Sequence, residues 1–433
     1  MDELISIADL SSAEYLQLLE KTQWMDGDQI QHYHHQQLNN LVEHHRSHNP
    51  FYSNFLKKTN KKVDPAKLRS LPILKRRDIQ NVGDHFFTNQ IPKHHEPISH
   101  VETSGSTGEP VKVKKTLVSS KFWAAYTIRD HLWNMRDFRG RLSSIRPYIN
   151  DYVEMDSWGR PVRDFFRTGS GQGIPITLNI NKQYELVSRF SPEVMIIYPN
   201  NLRALIEHMA QQNYSLRSVK HIKTVGETVS EDLRALAQSA FGLKIEDSYT
   251  SQELGTIAIQ CPISNLYHIM SENIILEVLD QDNNQCQEGE IGRVVLTDLH
   301  NYASPLIRYD IGDYAQVGGK CSCGRGSPTL MRILGRERNL ILKPDGSKHW
   351  PVFGYHRFVR LVPMYQYQFI QHSINKLEMK VYPVKPLSFT DKKNIQDIVF
   401  DAIGATYDFE INEYVNYIPK KNGKFEEFIN MCK

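Results

Sequence analysis

The sequence has few cysteines, little net charge and no long apolar run, and each shortage disfavours a class of protein. Five cysteines among 433 residues are too few for a disulfide framework, which favours a reducing cytoplasm. The formal net charge of +3 is small for this length and gives no support to nucleic-acid or anionic-membrane binding. No apolar run reaches the length of a membrane span, and the acidic start, residues 1–4 (MDEL), is not that of a signal peptide.

The remaining bulk properties are those of an ordinary soluble globular protein. Hydrophobic residues make up 40% of the chain and charged residues 23%. The length predicts one large core and at least one smaller domain. We therefore expect a cytoplasmic protein without a nucleic-acid or membrane partner. The sequence leaves the oligomeric state open, a homodimer included.

Hydrophobic periodicity predicts an α/β fold. Residues 1 to about 60 have a helical pattern, interrupted at residues 49–52 (NPFY), and residues 116–135 return to it. Strands and helices then alternate from about residue 175 to 260, which predicts a largely parallel sheet with ligands at the carboxyl ends of its strands. The segments are strands 194–198, 221–225 and 244–249 and helices 202–209 and 230–240, the last with Ser230 as N-cap.

The pattern becomes β-rich from about residue 274 to 320. We predict strands at residues 274–278, 292–297 and 306–309. The chain from about Gly335 onward is a small α+β piece. We place the domain boundary between residues 334 and 335, which gives a large N-terminal domain and a small domain of residues 335–433.

Histidines are frequent in the first helical region. No cysteine or carboxylate pattern accompanies them, so we predict a solvated helix face rather than a metal site. They are His32, His34, His35, His44, His45 and His48.

A loop rich in glycine and hydroxyl side chains occupies residues 103–110 (TSGSTGEP). Its glycines allow close backbone approach to a ligand, and its hydroxyls and N–H groups suit phosphate oxygens. The flanking segments 98–101 and 111–113 are plausible strands, so the stretch predicts a hairpin that holds a triphosphate. It lacks the Gly-Lys-Ser/Thr sequence and following helix of a P-loop. From these residues alone, an ordinary Ser/Gly turn is an equal alternative.

Other short motifs follow in a fixed order, and together they resemble the adenylate-forming enzymes. Within them the chain is similar to the phenylacetate–CoA ligase family, including its capsule-biosynthesis-type adenylyltransferase branch. The resemblance covers nearly the whole chain and implies a large N-terminal domain, with mostly parallel sheets flanked by helices and a β-rich subdomain, and a small C-terminal lid. The motifs are residues 49–52, 71–75 (LPILK), 103–110, 226–227 (GE), 249–253 (YTSQE), 308–313 (RYDIGD), 335–336 (GR) and 419–424 (PKKNGK).

The resemblance implies that a carboxylic acid attacks the α-phosphorus of ATP and expels pyrophosphate. It assigns Glu253 to Mg²⁺, Asp313 to the ribose hydroxyls and Lys424 to the charge between carboxylate and α-phosphate. Arg308 would reach the ribose or the phosphates, and Arg336 marks the hinge of the lid. The remaining nucleotide-binding residues that the resemblance implies are Ser104, Gly105, Ser106, Thr107, Gly108, Gly226, Glu227, Tyr249 and Thr250.

Two features of the C-terminal region leave alternatives open. Lys424 also fits an exposed lysine in a basic tail, beside Lys420 and Lys421. Arg338 and Asn339 follow the hinge where the family usually has an acidic residue, and residues 343–348 (KPDGSK) replace its glycine-rich turn. The acyl acceptor is therefore open. Coenzyme A is the leading choice, and an amine or a carrier-protein thiol is the alternative.

Four residues predict a structural zinc site. Cys261, His268, Cys321 and Cys323 supply three thiolates and one imidazole, a donor set typical of closed tetrahedral Zn²⁺ sites. The Cys-x-Cys pair also fits two free thiols that are adjacent by chance. Some members of the phenylacetate–CoA ligase family carry such a site. Cys286 and Cys432 have the features of ordinary thiols.

The acyl pocket is the least readable part of the sequence. Aromatic candidates are Trp123, Tyr126, Tyr148 and Tyr198, and each fits the core equally well. Arg129 and Arg146 are candidates to pair a second carboxylate or a polar substituent. We expect an ATP- and Mg²⁺-dependent ligase that activates an acid, with an aromatic, phenylacetate-like acid favoured, and transfers it to coenzyme A. A rival of another class is a catalytically inactive nucleotide-binding scaffold.

Overall fold

A computed structural model describes residues 10–57, 67–103, 110–336, 340–349, 353, 357–358, 361–416 and 428–432. The α-helices there are α1 Ser12–Thr22, α2 Gly27–His48, α3 Pro50–Lys57, α4 Arg76–Val82, α5 Leu117–Trp133, α6 Ile180–Phe190, α7 Pro199–Gln212, α8 Glu231–Phe241 and α9 Phe389–Ile403. Short 3-10 helices span Leu68–Ser70, Gly83–Phe86, Lys93–His95 and Val162–Asp164. Within this part of the chain, no helix is both long and apolar enough to cross a bilayer.

The strands up to Arg336 are β1 Leu74–Lys75, β2 Ser99–Glu102, β3 Lys112–Lys115, β4 Leu142–Arg146, β5 Val153–Met155, β6 Gly171–Pro175, β7 Val194–Ile197, β8 His221–Thr224, β9 Ile245–Glu246, β10 Ser248–Ser251, β11 Gly255–Gln260, β12 Tyr267–Ile269, β13 Ile274–Leu279, β14 Ile291–Asp298, β15 Tyr309–Val317 and β16 Thr329–Arg336. The later strands are β17 Ile341–Leu342, β18 Lys348–His349, β19 Met364–Ser373, β20 Lys376–Pro383, β21 Asp408–Glu413 and β22 Phe428–Asn430.

The predicted parallel sheet is confirmed. Its described strands have the order β5-β6-β4-β7-β8-β9, and all neighbours are parallel except the edge strand β5. Helices α6, α7 and α8 follow β6, β7 and β8 in turn, as expected for crossover connections. Ile145, Ile197 and Ile222 are fully buried between sheet and helices, so one apolar core holds this unit together.

A second sheet is mainly antiparallel. Its described strands run in the order β10-β11-β12-β16-β15-β14-β13, with β1 added parallel to β15. Helices α2 and α3 supply Leu41 and Tyr52 to its core, where they meet Leu296 and Tyr309. The description "mostly parallel" therefore fits only the six-stranded sheet. The strand predicted at 306–309 begins instead at Tyr309 and continues to Val317.

The predicted strand 244–249 is two strands in different sheets. β9 belongs to the parallel sheet and β10 to the antiparallel one, with the buried Asp247 between them. Asp247 accepts hydrogen bonds from the hydroxyls of Thr224 at 3.0 Å and Tyr267 at 2.7 Å. Burial raises the pKa of this carboxyl. The carboxylate thus fixes the point at which the chain passes from one sheet to the other.

The N-terminal helices are confirmed, but the histidine prediction is only partly right. His32 and His35 are exposed, whereas His45 is fully buried. Its Nε2–H donates to the carbonyl of Asn301 at 3.0 Å, and Nδ1 accepts from the Thr88 hydroxyl at 2.7 Å. Burial lowers the pKa of His45 to about 3, so the ring is neutral. This histidine joins helix α2 to the β-rich region rather than facing solvent.

Ser230 lies at the predicted N-cap of α8, but its side chain does not cap the helix; its hydroxyl accepts from Arg203 at 3.3 Å. The C-terminal piece is α+β, as predicted. Strands in the order β21-β20-β19-β22 pack with α9 around a core that begins at Ile341. The boundary at 334/335 stays a prediction, since β16 runs continuously through it to Arg336.

Candidate active site

The predicted phosphate loop stands on a hairpin. Strands β2 and β3 are antiparallel, and Glu102 pairs with Lys112 at the open end. The N–H of Thr103 donates to the carbonyl of Val111 at 3.0 Å, and the N–H of Val111 donates to the Thr103 hydroxyl at 2.9 Å. The loop residues Ser104, Gly105, Ser106, Thr107 and Gly108 lie outside the described residues.

Arg76 connects the base of this loop to the predicted magnesium residue. Its Nη2 donates to the Thr103 hydroxyl at 2.8 Å, and its Nη1 lies 3.8 Å from Oε1 of Glu253. Arg76 opens helix α4 directly after β1, whose parallel pairing with β15 fixes where α4 begins. The LPILK motif therefore delivers an arginine to the site, and sequence reasoning did not select this residue.

The Glu253 carboxylate is buried, and its surroundings suit a cation. Of the described residues, none donates a hydrogen bond to its Oε1. A buried carboxylate oxygen without a donor is costly unless a positive charge is close. Arg76 supplies one charge, and the half-buried Lys115 supplies another nearby. The residue thus fits the expected Mg²⁺ ligand, because Mg²⁺ takes oxygen ligands.

Lys115 and Asp298 lie close enough at this end of β3 for their charges to interact. Burial lowers the pKa of Lys115, while Asp298 and Glu253 act to raise it. Burial also raises the pKa of Asp298 to about 6, although the backbone N–H of His300 and the charge of Lys115 favour its ionised form. Sequence reasoning found neither residue, because their proximity depends on the pairing of distant segments.

The two residues expected at the adenosine are in direct contact. The Tyr249 hydroxyl donates to Oδ2 of Asp313 at 2.6 Å. A register irregularity between Tyr249 and Thr250 offsets the two residues on β10, and Thr250 is exposed. Across the sheet, Asp313 on β15 is paired with Arg336 on β16. The ribose and hinge motifs are therefore neighbours; the Arg336 side chain lies outside the described part.

Gly226 and Glu227 follow the carboxyl end of β8. Gly226 has a φ of +80°, and a Cβ placed there would lie 2.7 Å from the Tyr198 ring. The glycine therefore satisfies both backbone conformation and space. Glu227 Oε2 accepts from the N–H of Asn200 at 3.1 Å, which ties it to the start of α7. These contacts place Gly226, Glu227 and Tyr198 together at one edge of the parallel sheet.

Arg308, predicted at the ribose or the phosphates, is held by contacts within the protein. Its guanidinium is buried and forms two hydrogen bonds of 2.9 Å to the Glu277 carboxylate, while Nη1 donates to the carbonyl of Leu71 at 2.7 Å. Its φ of +49° turns the chain just before β15. All three guanidinium nitrogens are engaged by Glu277 and Leu71, and the assignment of Arg308 to the nucleotide stays a prediction.

The candidates for the acyl pocket differ in burial and in location. Tyr126 is buried in a core with Phe122, whereas Trp123 is 49% and Tyr148 75% exposed. Arg129 is buried against Glu272, with an N–O distance of 2.7 Å. Tyr198 and Arg146 remain at the carboxyl edge of the parallel sheet, where the Arg146 guanidinium lies 6.0 Å from the centre of the Tyr198 ring.

The four predicted zinc ligands come together. The ligand atoms of Cys261, His268, Cys321 and Cys323 all lie within 4.8 Å of one another. The sulfurs of Cys261 and Cys321 are 3.7 Å apart, too far for a disulfide. Tetrahedral Zn²⁺ with Zn–S bonds of about 2.3 Å separates two sulfurs by about 3.8 Å. The spacing therefore fits zinc.

Neighbouring side chains orient this cluster. Nδ1 of His268 lies 3.1 Å from the Ser327 hydroxyl, which directs Nε2 toward Cys323 Sγ at 3.2 Å. The Ser264 hydroxyl lies 2.9 Å from Cys321 Sγ. Such outer contacts usually accompany metal-binding histidines. Cys286 lies elsewhere, in the core of the antiparallel sheet.

The C-terminal residues of the prediction are not described. Lys424 and the adjacent Lys420 and Lys421 fall in the stretch 417–427, and Arg338 and Asn339 fall in 337–339, all outside the described residues. Their roles stay predictions. The described part of the site consists of the loop base, the Arg76–Glu253 pair, the Tyr249–Asp313 pair and the Gly226 edge.

Comparison with known proteins agrees with this architecture. A scan against protein-family models matched none. The chain is 25% identical over 330 residues to phenylacetate-coenzyme A ligase of Thermus thermophilus, covering 71% of this chain and 70% of that protein. It is 22% identical over 411 residues to protein CapK of Staphylococcus aureus, covering 90% and 86%.

A solved structure shares the fold over nearly the full length. It is 2-hydroxyisobutyryl-CoA ligase in the postadenylation state, with a TM-score of 0.74, 17% identity, and coverage of 94% of this chain and 90% of that one. Motif order, fold and similarity to curated proteins agree. The chain is thus similar in sequence to phenylacetate-coenzyme A ligase and CapK, and it has the fold of an adenylate-forming CoA ligase.

Proposed function

We propose that this protein is an AMP-forming acid–CoA ligase. It activates a carboxylic acid with ATP, releases pyrophosphate and forms an acyl-adenylate, which it then transfers to coenzyme A. The observation that carries the proposal is the contact between Tyr249 and Asp313 at 2.6 Å. It joins two of the predicted nucleotide-binding residues, which are 64 residues apart in the sequence.

The charges around Glu253 support the first half-reaction. Adenylation builds negative charge on phosphate oxygens, and preorganised donors and cations stabilise that charge. Arg76 and Lys115 contribute positive charge beside Glu253 and the base of the phosphate loop. When bound at Glu253, Mg²⁺ would neutralise phosphate charge. In this proposal Ser104 to Gly108 hold the leaving phosphates and Lys424 contacts the reacting carboxylate.

The aromatic substrate class is suggested by the family resemblance. A phenylacetate-like acid requires an apolar or aromatic pocket. Among the four aromatic candidates, only Tyr198 is both partly buried and adjacent to the Gly226 edge. We propose that the acyl group contacts Tyr198, and we retain an aromatic acid as the first class to test.

The experiment is pyrophosphate release from ATP and Mg²⁺ with a panel of aryl and alkyl acids. We expect release with at least one acid, and formation of its thioester when coenzyme A is added. If pyrophosphate is released but no thioester forms, an amine and a carrier protein are supplied instead. An amide or a carrier-bound product would then show that the acyl group passes to one of these acceptors and not to coenzyme A. ATP binding without release for any acid would support the inactive scaffold.

We further propose that Cys261, His268, Cys321 and Cys323 bind a structural Zn²⁺. The support is the clustering of four ligand atoms within 4.8 Å and the orientation of His268 by Ser327. Such a closed Cys₃His site contributes to folding and takes no part in the reaction. It would join the β11–β12 hairpin to the turn before β16.

A further inference from the structure

Arg146 is an arginine without a carboxylate partner in the described part of the chain. It is the last residue of β4 and is half-buried. Its Nε donates to the Ser144 hydroxyl at 3.0 Å, and its guanidinium faces the Tyr198 ring. Burial lowers the pKa of this guanidinium, and the groups that act to raise it are the tyrosines Tyr148 and Tyr198 rather than a carboxylate.

The fully buried arginines differ from Arg146. Each of those in the described residues is paired with a carboxylate, as expected from the cost of burying an uncompensated charge. The pairs are Arg129–Glu272, Arg136–Asp130, Arg203–Asp232 and Arg308–Glu277. The nearby Lys223 does not neutralise Arg146, because it carries a positive charge itself. The neighbouring carboxylate of Asp130 is already paired with the Lys223 ammonium.

The topology places Arg146 where a ligand is expected. In the order β5-β6-β4-β7-β8-β9, the chain leaves β4 toward β6 on one side and leaves β7 toward β8 on the other. The switch point therefore lies between β4 and β7. Ligands of open α/β sheets bind outside the carboxyl ends of the strands at such a point. Arg146 ends β4, and Tyr198 directly follows β7.

We propose that Arg146 binds an anionic substituent of the acid substrate. The preferred acid then carries a second carboxylate, or an equivalent anion, besides the carboxyl group that is activated. A guanidinium binds such a group through two parallel hydrogen bonds, which gives both affinity and orientation. This specificity rests on the proposed ligase function, because the first carboxyl group must still react at the phosphate site.

Matched pairs of acids test the assignment. Phenylacetate and 4-carboxyphenylacetate differ by one carboxylate, as do pentanoate and glutarate. With the intact protein, we expect kcat/KM for pyrophosphate release to be about tenfold or more higher for the diacid of a pair. Arg146→Met should bring the ratio of diacid to monoacid to about one, and Arg146→Lys should restore part of it.

Arg141→Met is the matched control. Arg141 directly precedes β4 at its opposite end, is exposed, and lies outside the proposed site. This variant should keep the full diacid preference. Thermal unfolding of all variants checks that the sheet remains folded. An equal effect of Arg146→Met on both acids, or a rise confined to the KM of ATP, would overturn the inference.

Calorimetric binding of the same acids without ATP separates the two proposals. Diacid binding that weakens in Arg146→Met supports the anion site even if no pyrophosphate is released, and only the ligase function then fails. Turnover of monoacids as fast as diacids overturns the anion site and leaves the ligase function standing. If no pair of acids shows a binding preference and no acid is turned over, both proposals are overturned.

Discussion

The Tyr249 hydroxyl donates a 2.6 Å hydrogen bond to the Asp313 carboxylate, joining β10 to β15 across the antiparallel sheet. Tyr249 is buried and Asp313 is half-buried, so the contact is partly shielded from water. A hydrogen bond to a charged acceptor fixes that acceptor more firmly than one between neutral groups. The hydrogen bond therefore holds the Asp313 carboxylate in a fixed position.

Removing this hydrogen bond should weaken nucleotide binding. We expect Tyr249→Phe to raise the KM for ATP about tenfold, since a hydrogen bond to a charged group contributes about 1.5–3 kcal/mol. Steady-state kinetics with ATP as the varied substrate measures the change. Tyr214→Phe, at a tyrosine that is 45% exposed, should leave the KM unchanged. An unaltered KM in Tyr249→Phe would contradict the role of the pair.

Replacing Glu253 should abolish the magnesium response. Its buried carboxylate lies beside Arg76, and no described donor reaches Oε1. We expect Glu253→Gln to reduce turnover at least a hundredfold and to remove the dependence on Mg²⁺ concentration, because the ligand charge is lost. Mg²⁺ titrations of turnover measure this. Glu231→Gln, at an exposed glutamate, serves as the control, and a normal Mg²⁺ response in Glu253→Gln would exclude Glu253 as the ligand.

The zinc site can be tested without any substrate. We expect about one equivalent of zinc per chain by elemental analysis, and its loss in Cys321→Ser. The variant should also unfold at a lower temperature, because metal binding contributes to folding. Cys286→Ser, at a buried thiol outside the cluster, should retain its zinc. A metal-free protein with unchanged stability in Cys321→Ser would refute the site.

Asp298 predicts a specific pH dependence of stability. Burial raises the pKa of its carboxyl to about 6, above the ordinary value of 3.8. The raised pKa of Asp298 therefore adds to the free energy of unfolding below about pH 4, and this added stability is lost as the pH rises through 6. The free energy of unfolding of Asp298→Asn, taken relative to that of the wild type, should rise by up to about 3 kcal/mol from pH 4 to pH 7. Urea unfolding at both values measures the gain, and a constant difference would contradict it.

Local patterns predicted much of the fold. The alternation from residue 175 to 260 is explained by strands that are buried on both faces and helices that are buried on one, so both periodicities survive in the sequence. The hairpin at residues 99–115 is likewise encoded locally, since β2 and β3 are consecutive strands. The cysteine–histidine cluster is predicted by its donor set, although Cys261 and Cys321 are 60 residues apart in the sequence.

Contacts between distant segments escaped prediction. Arg76 reaches Thr103 and Glu253 only because β1 pairs with β15, and nothing near Arg76 in sequence indicates this. The buried ion pair between Arg308 and Glu277 was not predicted either, because the two residues are 31 positions apart in the sequence. The division of one predicted strand at Asp247 has the same cause, since two sheets compete for its backbone.

Acid-dependent exchange of labelled pyrophosphate into ATP, without coenzyme A, tests acyl-adenylate formation most directly. We expect exchange with a suitable acid, and a loss of at least a hundredfold in Lys424→Ala. Lys421→Ala, in the same basic segment, should keep exchange near the wild-type rate. Exchange that no acid in the panel stimulates, or that survives equally in Lys424→Ala, would contradict the proposed mechanism.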